Sequence, residues 1–271
     1  PAPEEMAMAP HRLYGTVDAA ENFSVGRWIE AARAAIAEAR ASGALPILVG
    51  GTGLYFKALT EGLSAIPPVP PEVRERIRRE AEGVAPADLH TRLAALDPLT
   101  ASRLRPSDPQ RILRALEVVA ATGKPLAEWQ DAGREGAVLV DHAHRGVFLS
   151  VDRAELRAKI DRRFEAMMHA GALVEVEALA ARRLDPSLPA MRAHGVPGLI
   201  AHLAGKLSLD EAIARGQRDT RAYAKRQETW FRNQMPGFAA LSPEAAGEQL
   251  SAWLAAPHAD DGEPFPDGSR G

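Results

Sequence analysis

Two stretches of this 271-residue chain carry residue types at spacings that could do chemistry. The first is Gly50-Gly51-Thr52-Gly53, which follows the apolar run at 45–49. It precedes Leu54, Tyr55, Ala58 and Leu59, spaced as one face of a helix. A strand that runs through a glycine-rich turn into a helix presents backbone N–H groups at the helix N-terminus, where an anion or a developing negative charge is favoured. Thr52 is the only hydroxyl in the turn, and two readings of it stand side by side: a helix cap, or a polar group at a reaction site. The second stretch is the helical pattern from Leu209 to Gln234. At about 100° per residue, Arg218, Arg221, Lys225 and Arg232 fall within about 60° of one another, while Tyr223 and Trp230 point the opposite way. One side packs and the other is basic, which suits a polyanion. An ordinary solvated face is the rival reading, and Glu228 lies near enough to neutralise part of it.

Elements must hold these groups, and the pattern supplies them. Residues 1–10 show no periodicity. Ser24 is the expected N-cap of a helix through Ala41, with Gly43 past its end and Trp28, Ile29, Ala32 and Ile36 on one face. Helix, loop, strand at 45–49, glycine turn and helix make half of a doubly wound α/β unit. Pro67, Pro68, Pro70 and Pro71 mark a boundary. Beyond them only helical periods are seen, one through Val73 and Ile77, a second from Asp88 to Leu96, and a third capped by Asp108 with Pro109 at its first position. The arginines at 74, 76, 78 and 79 alternate with Glu72, Glu75 and Glu80, so most of them are expected on a solvated face. Residues 146–151 read as a return strand. Asp152 caps a helix to about His169, with Leu156, Ile160, Phe164 and Met167 inward. Val174 to Ala181 continues helically, and Met191 to Pro197 is turn-rich. The expected organisation is part of an α/β core at 10–66, a helical insertion at 67–140, the rest of the core and the C-terminal helices at 141–240, and a tail at 241–271 that ends disordered.

Bulk properties set limits. With 46% hydrophobic residues the chain can bury a large core. It has no cysteine, hence no disulfide or thiolate metal site, which fits a reducing cytoplasm. No apolar run approaches membrane-spanning length. The net charge of −3 means that any RNA site must be a local basic patch. His and carboxylate residues form no metal-ligand pattern, and Asp141-His142-Ala143-His144 reads as a loop before a strand.

Gly-Gly-Thr-Gly-Leu-Tyr-Phe after Pro-Ile-Leu-Val resembles the central motif of the tRNA dimethylallyltransferases, or isopentenyl-tRNA transferases. Asn22-Phe23-Ser24-Val25 fits the family's lead into the preceding helix. Asp108-Pro109-Gln110-Arg111-Ile112-Leu113-Arg114-Ala115-Leu116-Glu117 and Arg221-Ala222-Tyr223-Ala224-Lys225-Arg226-Gln227-Glu228-Thr229-Trp230-Phe231-Arg232 look like two further signatures. The resemblance implies an α/β fold with a P-loop-type parallel sheet core, an all-helical insertion and a helical C-terminal part. It implies transfer of a dimethylallyl group from its diphosphate to N6 of the adenosine beside the anticodon, in a cytoplasmic and monomeric enzyme whose partners are the tRNA anticodon stem-loop and dimethylallyl diphosphate. Mg²⁺ is implied as cofactor, held mainly by the diphosphate and the P-loop, so no metal ligand is placed in this sequence.

By the same resemblance Thr52 falls at the reaction channel and Arg163 at the substrate diphosphate. The implied tRNA contacts are Arg74; Gln110, Arg111, Ile112, Leu113 and Arg114; Arg192, Ala193, His194, Gly195, Val196 and Pro197; and Arg218, Arg221, Lys225, Arg226, Gln227, Glu228, Thr229, Trp230, Phe231 and Arg232. Ile112, Leu113, Trp230 and Phe231 read equally as packing residues. Val196-Pro197 stands where many members carry Gly-Tyr and a polar residue. Neither the family's P-loop pattern nor its Asp-Ser-x-Gln motif is found, because the match starts downstream of both; the resemblance therefore does not imply activity of these residues alone. Two alternatives stay open, an RNA-binding chain without catalysis and an adenylate dimethylallyltransferase. The basic face at 218–232 favours tRNA over adenylate, and it has no counterpart in a small-molecule kinase.

Overall fold

The computed structural model describes residues 3–139 and 144–255. Thirteen helices are assigned among them, α1 (Pro3–Met8), α2 (Val25–Ala41), α3 (Gly53–Glu61), α4 (Pro71–Glu80), α5 (Pro86–Leu96), α6 (Pro98–Arg103), α7 (Pro109–Thr122), α8 (Leu126–Asp131), α9 (Arg153–His169), α10 (Ala172–Ala181), α11 (Val196–Leu203), α12 (Leu209–Gln234) and α13 (Pro243–Ala255). Strands β1 (Val147–Leu149) and β2 (Ala239–Leu241) pair in parallel, with Val147 opposite Ala239. The chain divides into two compact units, one of residues 1–23, 48–53 and 144–271 and the other of 24–47 and 54–143.

Local signals place the helix starts. The Ser24 hydroxyl accepts from Arg27 N, Asp108 accepts from Arg111 N, and Asp152 accepts from Ala154 N and Glu155 N. Ser208 and Glu211 form a reciprocal capping box at the head of α12.

The unit of 24–47 and 54–143 is helical throughout. Its core gathers Val69, Ile77, Leu89, Leu93, Ile112, Ala115, Leu116 and Val118. Asp97 ties three helices together from within. Fully buried, it caps α6 by accepting from Thr100 N at 2.8 Å, and its second oxygen accepts from Leu126 N at 3.0 Å at the head of α8. The Thr100 hydroxyl takes Ala127 N at 2.9 Å. In the same unit Trp28 of α2 stacks on Tyr55 of α3 at 4.4 Å.

The other unit packs α9, α10 and α11 around α12 through Val176, Leu199 and Ala212, with Met168, Leu173 and Ile200 beside them. Phe164 of α9 fits a notch made by two glycines. A β-carbon at Gly216 in α12 would come 2.3 Å from its ring, and one at Gly195 (φ +98°) would come 2.9 Å from it. The parallel pair closes behind α12, where Phe148 of β1 stacks on Phe231 at 4.9 Å.

The glycine turn lies flat on a second face of α12. Gln227 Nε2 donates to the Gly51 carbonyl at 2.7 Å. A β-carbon on Gly51 would meet Gln227 Nε2 at 2.0 Å, and one on Gly53 would meet the Trp230 ring at 2.0 Å. Positions 223, 227 and 230 share that face by helical spacing, so the missing side chains at 51 and 53 are what let the backbone approach.

Several expectations are corrected. The run at 45–49 forms no strand: Ile47 and Val49 are 72% and 80% exposed, and no described strand pairs with it. An apolar run becomes a strand only when neighbours take its backbone N–H and C=O groups. Leu54 and Met167 are exposed rather than inward. After Phe164 the inward stripe of α9 moves to Met168, one i+4 step on. Residues 3–8 are helical, α13 occupies ground read as tail, and β2 is a strand at the end of the segment read as C-terminal helices. The solvated face expected for most of the arginines at 74, 76, 78 and 79 is present, with Arg76, Arg78 and Arg79 exposed, and from it Arg74 and Arg78 both reach Glu117. Residues 141–143 of the Asp-His-Ala-His stretch and the tail from 256 lie outside the described residues.

Three stability measurements follow. Asp97→Ala strands two buried N–H groups and should cost about 2–4 kcal/mol, read from urea unfolding of the chain; a loss under about 1 kcal/mol would contradict the tie. Gly53→Ala should destabilise by about 1–3 kcal/mol through overpacking against Trp230. Gly247→Ala in α13, where an added β-carbon meets nothing within 4 Å, should instead stabilise by about 0.5–1 kcal/mol through helix propensity.

Candidate functional site

Thr52 sits at the apex of the turn, exposed, with Gly51 and Gly53 anchored on either side of it. Its hydroxyl is 3.5 Å from the Tyr223 hydroxyl, a long hydrogen bond in which either oxygen can donate. His194, at the surface, packs on the Tyr223 ring at 4.8 Å with the planes tilted by 49°. The Arg226 guanidinium lies 5.7 Å from the centre of the same ring. The structure thus gathers Thr52, His194, Arg226 and Gln227 around Tyr223. Those four were expected at the site and Tyr223 was not, because its helical angle said only that it packs. The cue available in the sequence was the 223, 227, 230 spacing beneath a turn of three glycines. Thr52 lies before the first helical residue of α3 rather than within it. The arrangement is a rigid turn offering one hydroxyl, beside an exposed imidazole and a guanidinium that can bracket a flat, hydrogen-bonding group.

The basic face of α12 has two parts. Arg221 is half-buried and paired with Asp161 of α9, and Glu228 is paired with Arg153 at 3.4 Å. Between α9 and α12 lies a cleft of about 230 Å³ lined by Arg153, Arg157, Arg221, Lys225 and Glu228, with Leu156 and Ile160 as its apolar floor. Among the described residues Arg157 and Lys225 make no ion pair, so they carry the cleft's surplus charge. Arg218 and Arg232 are exposed. The caps that set these two helices are ionised: Glu155 N–H and Ala154 N–H hold Asp152 below the ordinary carboxylate range, and Ser208 N–H and hydroxyl do the same for Glu211.

Arg163 is exposed on α9 and is not among the residues lining the cleft. Arg192 and Ala193 are exposed beside His194, Gly195 is buried against Phe164, and Val196 and Pro197 open α11. Trp230 and Phe231 pack, the first under Gly53 and the second buried beside Phe148. The Thr229 hydroxyl bonds back to the Lys225 carbonyl. In the other unit Gln110 and Arg111 are exposed, the latter 3.4 Å from Asp108, while Ile112 is fully buried and Leu113 packs beside it. Any contribution of Ile112 to a surface contact is through backbone position alone. Arg74 and Arg114 are half-exposed and both face Glu117. No three His, Asp or Glu side chains among the described residues come together in a way that could hold a metal ion. No described helix is long and apolar enough to cross a membrane.

Similarity to known proteins places the chain in a family. The family described as "IPP transferase" matches residues 1–234. A tRNA dimethylallyltransferase of Methylocella silvestris is 61% identical over 247 residues, covering 91% of this chain and 81% of that protein. The crystal structure of the full-length tRNA isopentenylpyrophosphate transferase of Bacillus halodurans superposes with a TM-score of 0.61 at 28% identity, over 94% of this chain and 80% of that one. A eukaryotic dimethylallyltransferase captured acting on tRNA shares the fold with a TM-score of 0.71 at 23% identity, over 94% of this chain and 65% of its own. The class expected from sequence, α/β with a parallel sheet and many helices, is the class observed. With an exposed hydroxyl on a glycine turn, a helix that carries both packing and cationic faces, and a family match over most of its length, the chain belongs to the IPP transferase family.

Proposed function

We propose that this chain transfers a dimethylallyl group from dimethylallyl diphosphate to the exocyclic N6 of a tRNA adenosine, the one beside the anticodon. The bond from the allylic carbon to the diphosphate oxygen breaks, and the diphosphate leaves with the electron pair. The same carbon joins N6, and a proton from N6 passes to a base. What supports this reading above all is the convergence of Thr52, Tyr223 and His194 on a turn fixed from both sides. In the proposal the Thr52 hydroxyl meets the amine edge of the adenine, which must leave its stack to be reached. Tyr223 holds that hydroxyl in place, and His194 and Arg226 stand beside the extruded base.

Arg157 and Lys225, the unpaired cations of the cleft, supply phosphate contacts, with Arg218 and Arg232 along the same helix. Arg163 faces the diphosphate in this reading, and Mg²⁺ accompanies the diphosphate. The enzyme works as a monomer in the cytoplasm.

Incubation of the chain with unmodified tRNA, dimethylallyl diphosphate and Mg²⁺, then nucleoside mass spectrometry, tests the reading. Dimethylallyladenosine should appear and should vanish when the target adenosine is replaced. Modification of free adenylate at an equal rate would contradict it, as would tRNA binding with no transfer. Thr52→Ala should lower kcat/KM at least tenfold, with Thr52→Ser restoring part. Tyr223→Phe, which removes one long hydrogen bond, should cost about 0.5–1.5 kcal/mol, roughly twofold to tenfold in kcat/KM.

A further inference from the structure

The helical unit of 24–47 and 54–143 holds a charge cluster that its packing does not require. Glu117 of α7 is 4% exposed, and its carboxylate accepts from Arg78 Nε at 3.2 Å. Arg74 Nε stands 4.0 Å from the same carboxylate and Arg114 Nη1 stands 3.7 Å from it. Arg74 and Arg78 are one helical turn apart on α4, and Arg114 is one turn before Glu117 on α7, so one buried anion collects cations from both helices. The three side chains remain 39%, 48% and 42% exposed.

One arginine is enough to offset a buried carboxylate. Elsewhere the described pairs Arg103 with Asp131, Arg92 with Glu80 and Arg182 with Asp18 are one to one, and the exposed Glu61 takes two cations, Lys57 and Arg134; among the described residues Glu117 alone takes three. Three cations on one anion leave two positive charges at the surface, and Glu117 is the only described carboxylate within ion-pair distance of any of them. A carboxylate has about four acceptor sites and each guanidinium about five N–H donors, so most donors stay open. In Arg74 and Arg78 the nitrogen nearest Glu117 is Nε, which leaves the terminal fork of each, the edge that matches a phosphate, for another partner.

We propose that Glu117 is a positioning residue that assembles Arg74, Arg78 and Arg114 into one site for an RNA phosphate, and that Arg78 contacts the backbone. This rests on the reading of the chain as a tRNA-modifying protein. The resemblance pointed to Arg74 and Arg114 one by one; the shared anion, and the inclusion of Arg78, come from the structure.

The sign of one substitution separates positioning from neutralisation. Glu117→Gln removes a negative charge, so a merely neutralising Glu117 predicts tighter RNA binding and a steeper salt dependence. A positioning Glu117 predicts weaker binding. The measurement is fluorescence anisotropy of a labelled anticodon stem-loop with the full chain across a salt series, with folding of each variant checked by circular dichroism. Glu117→Gln should weaken binding about fivefold or more. Arg78→Ala should weaken it roughly fivefold to tenfold near 0.1 M salt and reduce the slope of log affinity against log salt by about 1. Arg76→Ala, an exposed arginine outside the cluster, should change both much less. In the Glu117→Gln background the effect of Arg78→Ala should shrink.

A folded Glu117→Gln variant that binds as tightly as the parent, or more tightly, overturns the proposal. If that variant does not fold, Arg78→Ala decides, and an unchanged slope overturns it. A parent chain that does not bind the stem-loop overturns the tRNA reading and this proposal together. A parent that binds while Arg78→Ala matches it overturns this proposal alone.

Discussion

The site depends on the closeness of a backbone to a helix. The glycine turn reaches α12 only because positions 51 and 53 carry no β-carbon, and the space those atoms would fill is taken by Gln227 and Trp230. Gln227 then fixes the Gly51 carbonyl, so the turn is held by a hydrogen bond on one side and a ring on the other. Thr52, between them, has little choice of where to present its hydroxyl. A loop tip is ordinarily where order is lost; here packing from beneath replaces the regular hydrogen bonding the loop lacks. The same device recurs at Phe164, whose ring sets the loop bearing His194 because Gly195 and Gly216 make room for it. Two pairs of glycines therefore bring a threonine and a histidine to the same tyrosine.

Charge is arranged on a different logic in each unit. Along α12 the cations are partly spent on structure, since Arg221 is held by Asp161 and Arg153 by Glu228, which leaves Arg157 and Lys225 to give the α9/α12 cleft its sign. Such pairing fixes side chains that would otherwise lose conformational freedom on meeting a ligand. In the helical unit the economy is reversed, with a single buried carboxylate serving three arginines. A protein with a net charge of −3 can meet a polyanion in this way, by concentrating positive charge locally.

What could be read in the sequence was whatever is decided within a few residues. Ser24, Asp108 and Asp152 cap helices because a side-chain oxygen two or three residues from an N–H needs no distant help, and α2, α7 and α9 begin where those signals put them. The two faces of α12 followed from angular spacing alone. What could not be read depended on distant partners. The run at 45–49 has strand composition yet no described neighbour to pair with, while β2, Ala-Ala-Leu with no alternation, is a strand because β1 reaches it. Thr52 stood out by its motif. Tyr223 and Glu117 did not, since a tyrosine on a packed face and a glutamate amid an apolar helix show their roles only when another segment arrives at them.

The most direct test of this account is hydrogen exchange along the full chain, with and without an anticodon stem-loop. The account predicts slowed exchange on RNA binding at the glycine turn of 48–53, at 192–195 and along 218–232, because those backbones border the hydroxyl, the imidazole and the cations assigned to the RNA. Saturating RNA that leaves these three stretches unchanged while protecting others would contradict it.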